Sequence, residues 1–397
     1  MERYVVLRAP SSTARGVDDF KAFSLAGDQS APLGKFIVET PDVNPKEIRD
    51  IRRDPHVFGI VPNMQLKLYE PVARNVELKT KNGSAWGIQA VGADKSPFTG
   101  KGVTVAVLDT GINAGHKAFK GVDIVEKDFT GEGNGDRNGH GTHCAGIIFG
   151  RTIDGLRIGV APGIQQALIG KVLDAQGNGS TASIMKGIQW ALDSGANVIS
   201  MSLGMDFPGQ VRWMVQELKM PIELATSKVL EEYLSNVKLF ATLAEQAKQR
   251  GAFFQATVIV AASGNESQRQ KGAEFEIAVS LPASTDGICS VGALGEVEGG
   301  LNVADFSNTN VTISAPGVAI PSAKAAGGLI GMSGTSMAAP HVAGVAALWA
   351  EKLMTQTGRI DPTAFFSKLI ASGTQTGLVK SVDSIDVGTG IVQAPQE

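Results

Sequence analysis

Continuous apolar runs alternate with stretches of helical spacing along most of this chain. Val103–Leu108 is an unbroken, β-branched apolar run that ends in Asp109-Thr110-Gly111, the pattern of a strand buried on both faces. Ala167–Val172, Asn197–Ser202 and Val258–Ala262 read as further strands. Between them, Ser183–Asp193 places Ile184, Ile188, Ala191 and Leu192 on one side of a helix. Another helix opens at His140-Gly-Thr-His143 and continues through Cys144 to Ile148. Strands alternating with helices predict an α/β fold, a parallel β-sheet with right-handed crossovers and helices on both faces. Ligands on such sheets bind at the carboxyl ends of strands, where Asp109, Ser202 and Asn265 all fall.

The stretch from Gly331 to Met354 has a different pattern. A glycine-rich turn leads to Ser336, and Ala338, Ala339, Val342, Ala343, Val345, Ala346, Ala347 and Leu348 then make the helix apolar nearly all round, which predicts burial. Pro340 is expected in the first turn, where a helix tolerates proline. Ser336 then stands at the helix N-terminus, where unpaired N–H groups favour negative charge.

The first 72 residues form a separate small α+β module. Tyr4–Ala9, Phe36–Glu39 and Val57–Val61 read as strands, with no clear helix between the first two. Asn44 caps a helix that has Pro45 at its first position and runs through Ile48 and Ile51. Residues 73–85 end a polar, aperiodic linker that begins near Leu66. From Trp86 to the end the pattern is that of one α/β domain. It is interrupted at about 205–257 by a block of helical segments, Val211–Lys219, Leu224–Tyr233 and Val237–Arg250.

Composition narrows the function classes. The 397 residues are 43% hydrophobic and 19% charged, with a formal net charge of −3, which leaves no electrostatic basis for a nucleic-acid or anionic-membrane partner. Two cysteines, Cys144 and Cys289, do not build a disulfide framework. No run approaches membrane-spanning length, and MERYVVLRAPSST lacks the pattern of a signal peptide. The expectation is a cytoplasmic protein.

Each polar residue has a plain reading on its own. Asp109 fits a turn and so does Asn265. His140 and His143 fit core or surface histidines, Cys144 a small buried hydrophobe, and His341 a hydrogen-bonded core residue. His56 and His116 carry no functional signal. Taken together, Asp109, His140, Ser336 and Asn265 read as a catalytic set. Ser336 attacks a carbonyl, His140 moves its proton, and Asp109 fixes the imidazole tautomer. The Asn265 amide and the Ser336 backbone N–H receive the oxyanion. With His140 as base, the rate is expected to fall as pH drops through roughly 6–7.

These stretches resemble the subtilisin-like serine proteases, or subtilases. The matching segments are VAVLDTGI around Asp109, NGHGTHCAGII around His140, ISMSLG ending at Gly204, VIVAASGNE around Asn265 and GTSMAAPHVAGVAAL around Ser336. The resemblance covers about Trp86 to Ala394, and the order Asp, His, Ser also fits. It implies a serine endopeptidase that acts on protein or peptide substrates without a required cofactor. It further implies that an extended substrate pairs with Ser202, Leu203 and Gly204, with Ala262, Ser263 and Gly264 as the opposite wall. The first module resembles the family's propeptide, a chaperone and inhibitor of its own enzyme, and Met64–Val72 is placed to enter the cleft like a substrate. Autocleavage is expected within Tyr69–Ser84.

Two departures from the family pattern bear on metal binding. Ile153 and Ala118 stand where its tight calcium loop carries an amide and an acidic ligand, so no tight calcium is expected there; calcium at another, unidentified site stays open. The helical block exceeds the family's usual connection by roughly thirty residues, which suggests a lid or docking surface or, more plainly, a peripheral hairpin. A peptide-precursor processing enzyme or transpeptidase, and a non-catalytic binding protein on the same fold, are the alternative functions.

Overall fold

The computed structural model describes residues 2–9, 36–253 and 255–397. Its centre is an eight-stranded, mostly parallel sheet. From one edge the strands run Asp123–Asp128, Gln166–Lys171, Thr104–Asp109, Val198–Met201, Val258–Ala262 and Ile288–Val297, all parallel. Ile288–Val297 then pairs with Ile313–Pro316 in parallel and with Gly300–Val303 in antiparallel. Alternate residues of each strand enter opposite cores. Val105, Val107, Val258 and Val260 pack beneath the helices His140–Phe149 and Thr335–Thr357. Ala106, Leu108, Ile259 and Ala261 pack beneath Thr181–Asp193 and Ile222–Phe253. The unbroken apolar runs in the sequence follow from this burial on both faces.

The helix carrying Ser336 starts earlier than the sequence suggested. It spans Thr335–Thr357 with Gly334 as its cap, so Pro340 lies in the interior and not in the first turn. Proline has no N–H to give to the carbonyl four residues back, which is that of Ser336. The Ser202 hydroxyl at 3.3 Å and the Cys144 thiol at 3.3 Å donate to this carbonyl instead. The proline therefore leaves the Ser336 carbonyl to be tied to the neighbouring strand end and helix.

The helical block also differs from expectation. Phe207–Gln216 is followed by one helix, Ile222–Phe253, in place of two. Ser235 and Asn236 do not break it. The Ser235 hydroxyl turns back to the Glu231 carbonyl, and Asn236 is fully buried, accepting from Thr181 Oγ1 and donating to Pro62 O. The latter half of this helix, through Leu239, Phe240 and Leu243, belongs to the main core.

At the N-terminal end, Glu2–Arg8 pairs in antiparallel with Ile37–Glu39, Asp42–Val43 and Val57–Pro62. The helix Pro45–Arg53 carries a capping box between Asn44 and Glu47, worth about 1 kcal/mol. The sequence expectation about the stretch between the first two strands lies outside the described residues. The sheet docks on the two helices of the second core face. Gln189 takes Phe36 O at 2.6 Å and Val38 N at 3.2 Å, and Val5, Leu7 and Val61 join Ile184 and Leu239 in one apolar cluster.

The polar stretch that looked aperiodic is ordered by its main chain. Gln65–Leu68 lies between Asn178–Ser180 and Leu203–Met205 as the middle strand of an antiparallel sheet. Ala73–Val76 pairs with Leu329–Ser333. Main-chain pairing imposes no side-chain period, so hydropathy gave no sign of it. Among the described residues no helix is long and apolar enough to cross a membrane.

Candidate active site

Asp109 ends its strand, and its carboxylate is 2.8 and 3.0 Å from His140 Nδ1. His140 opens its helix on a left-handed Gly139. The close approach depends on Gly141, where a Cβ would stand 2.2 Å from the Gly111 carbonyl oxygen. Ser336 comes from the helix on the same face of the sheet. Cys144 marks the convergence, with its Sγ 3.7 Å from His140 Nδ1 and 3.3 Å from the Ser336 carbonyl. Asp109, His140 and Ser336 are buried, at 1%, 0% and 0% exposure, so the site is closed to solvent.

What closes it is the chain itself. The Ser336 hydroxyl donates to the Tyr69 carbonyl at 3.1 Å, and among the described residues it makes no hydrogen bond to the His140 ring. Asn265 Nδ2 donates to the next carbonyl, Glu70 O, at 3.0 Å. Leu68 pairs with Leu203 and Lys67 with Gly204, and Tyr69 N reaches Ser202 O at 3.5 Å. On the far side, Val72 N donates to Ser333 O at 2.8 Å. Residues 65–76 thus cross the cleft from end to end. The helical block borders the site through Tyr233, but this segment is what covers Ser336.

The surroundings fix the Asn265 amide and set the charge of the His140 ring. Asn265 Oδ1 accepts from Thr335 N and Thr335 Oγ1, both at 2.9 Å, which turns its NH2 toward the cleft. Burial disfavours charge on His140, but the Asp109 carboxylate, by its charge and its hydrogen bond, outweighs this and raises its pKa well above the ordinary value. His143 behaves oppositely: burial, and then the nearby His140, push it down to about 3. Its Nε2 lies 3.1 Å from both Ile320 O and Ile330 O, so it is a neutral structural residue. Burial likewise lowers His341 to about 4, with Nδ1 on Met337 O.

Sequence reasoning missed Asp136. Its Oδ1 accepts from Thr110 Oγ1, Asn138 N and Gly139 N, and its Oδ2 from Thr142 N and Thr142 Oγ1. This one carboxylate joins the residue after Asp109 to the first turn of the His140 helix. Asp136→Asn would set an N–H against these N–H donors. Misplacement of about an ångström can cost up to ~100-fold, and we expect kcat to fall roughly tenfold with KM little changed. Steady-state kinetics on a short peptide measures this; an unchanged kcat counts against the role.

The calcium-loop positions do not suit a cation. Ala118 and Ile153 are buried hydrocarbon. Arg151 Nη2 donates to Ile164 O, while Arg157 donates to Ala93 O, Gly159 O and Val160 O. Calcium wants oxygen ligands, and the Ala118 and Ile153 side chains offer none. A chelator is expected to leave the melting temperature within about a degree; calorimetry with and without it decides, and a large drop refutes the expectation.

A serine, an imidazole–carboxylate pair and a side-chain amide at the carboxyl ends of a parallel sheet are the equipment of a serine hydrolase. Residues 100–362 match the model of the Subtilase family. Subtilisin-like protease 6 of Trichophyton tonsurans is 32% identical over 365 residues, 87% of this chain and 75% of that protein. The protein of the same name from Trichophyton equinum aligns to the same extent. Subtilisin-like protease 1 of Arthroderma gypseum is 31% identical over 318 residues, 76% of this chain and 54% of that protein. The chain belongs to the subtilase family and is a serine endopeptidase.

Proposed function

We propose that this endopeptidase uses Ser336, His140 and Asp109 as its triad and is made as a precursor held shut by its own N-terminal module and linker. The observation that carries this reading is the Ser336 hydroxyl lying against the Tyr69 main-chain carbonyl, in a segment paired with the cleft as an added strand. Such pairing binds any extended peptide through its main chain. In the reaction the His140 ring takes the Ser336 proton as Oγ attacks the carbonyl carbon. Asp109 holds Nδ1–H and stabilises the imidazolium. Asn265 Nδ2 receives the oxyanion. Collapse expels the amine, protonated by His140, and water then releases the acyl group by the same steps in reverse order.

The closed chain is not aligned for that reaction. Ser336 addresses the Tyr69 carbonyl while Asn265 addresses Glu70, so neither peptide group has both nucleophile and oxyanion donor. Cleavage needs the strand to slip until both meet the Tyr69 carbonyl, which accounts for a segment that inhibits before it is cut. The test is the mass of the purified chain before and after incubation. A cut between Tyr69 and Glu70 is expected; an intact chain that hydrolyses peptides would reject the precursor reading.

A further inference from the structure

Tyr69 is also the occupant of a side-chain pocket, and its fit says what the pocket selects. Tyr69 is 6% exposed and joins the apolar core beneath the His140 and Ser336 helices. Gly204 makes the space: a Cβ there would fall 1.8 Å from the phenol oxygen, so any larger residue would displace the ring. The phenol is hydrogen-bonded to Ser280 Oγ at 2.5 Å. Burial, and after it the charge of Glu266, hold the phenol proton far above its ordinary range, so the hydroxyl stays neutral.

The Ser280 segment is itself held in place. Met205 N donates to Leu281 O at 3.0 Å, and Leu281 N donates to Tyr233 Oη at 3.2 Å. Tyr233 belongs to the extra helical block and packs edge-on against Phe207. A role for that block thus emerges: it backs the wall that meets the phenol.

We infer that the pocket walled by Gly204 and Ser280 selects tyrosine, so the enzyme cuts substrates on the carboxyl side of tyrosine, with Ser280 reading the phenol hydroxyl. This rests on the proteolytic reading above. A pocket that bonds a hydroxyl penalises the analogue without it, because its own polar group loses a partner.

The test uses the full chain, incubated until its mass is constant, and peptides Leu-Lys-Leu-X-Glu-Ala with X as Tyr, Phe, Ala or Arg. The expected kcat/KM for Tyr exceeds that for Phe about tenfold and that for Ala roughly a hundredfold. In Ser280→Ala the Tyr-to-Phe ratio should fall to about one. A wild-type ratio near one, a ratio unmoved by Ser280→Ala, or preference for Arg, which would hand the pocket to Glu266, overturns the inference. A fluorophosphonate probe separates the two levels. A cut chain labelled at Ser336 that ignores tyrosine loses only the selectivity, whereas a cut chain that stays unlabelled loses the triad and the selectivity together.

Discussion

Ser336→Ala is expected to remain full length indefinitely and to lower peptide hydrolysis by about 10⁶, a figure carried over from subtilisin itself. The loss is that of the attacking atom, and neither the Asn265 amide nor the Asp109–His140 pair can replace it. Stability should hardly change. Among the described residues the hydrogen bond of Ser336 Oγ is to Tyr69 O, and its removal leaves a carbonyl next to the Asn265 amide, which already serves Glu70 O. Mass spectrometry over time, together with a melting curve, separates lost chemistry from lost folding. Processing of the variant at the wild-type rate would mean that another protease cuts this chain.

Asp109→Asn should be the next most damaging change, near 10⁴ in kcat, again by analogy with triad enzymes. Asp109 accepts from His140 Nδ1 at 2.8 Å and from Thr110 N at 2.7 Å. An amide that presents its NH2 to Nδ1 would favour the tautomer with the proton on Nε2, which cannot accept from serine. The pH profile should move as well. In the closed chain burial opposes the imidazolium, but Asp109 outweighs it, so His140 stays protonated above its ordinary range. The base form appears only as pH rises past that raised value. First self-cleavage should therefore accelerate with a midpoint above the ordinary ~6.5, higher than the roughly 6–7 that sequence alone suggested. Asp109→Asn should bring the midpoint down. The same proton stabilises the closed form, fully below about 6.5 and progressively less as pH passes the raised pKa. Rates of first cleavage across a pH series measure this; a wild-type midpoint at or below 6.5 contradicts it.

Much of this site was legible because each of its main residues sits inside a contiguous local pattern. Asp109 follows a β-branched run, His140 and Ser336 begin helices, and Asn265 follows another buried run. The parallel sheet was legible for the same reason. What escaped was set by contacts between distant segments. Tyr69 meets Ser336 across 267 positions, and nothing in its neighbours announces that partner. Asp136 acts only through where Thr110 and Thr142 end up, and Thr335 only through the rotation it imposes on Asn265. Pro340 misled because the general rule against interior proline ignores what else satisfies the freed carbonyl. The joined helix Ile222–Phe253 was missed because Asn236 looks like a breaker until Thr181 and Pro62 are placed beside it.

If the chain is the precursor proposed above, the two-sided course of residues 65–76 would make its activation a two-stage affair. Severing the chain after Tyr69 frees the upstream half to leave with its small sheet, but the downstream half stays covalently joined to the enzyme. Ala73–Val76 would still be zipped to Leu329–Ser333, as a tethered competitor at millimolar effective concentration. Newly nicked enzyme should accordingly turn over short peptides that end at the cut sooner than long ones that extend past it. Full appetite for proteins then awaits the fraying or trimming of that tail.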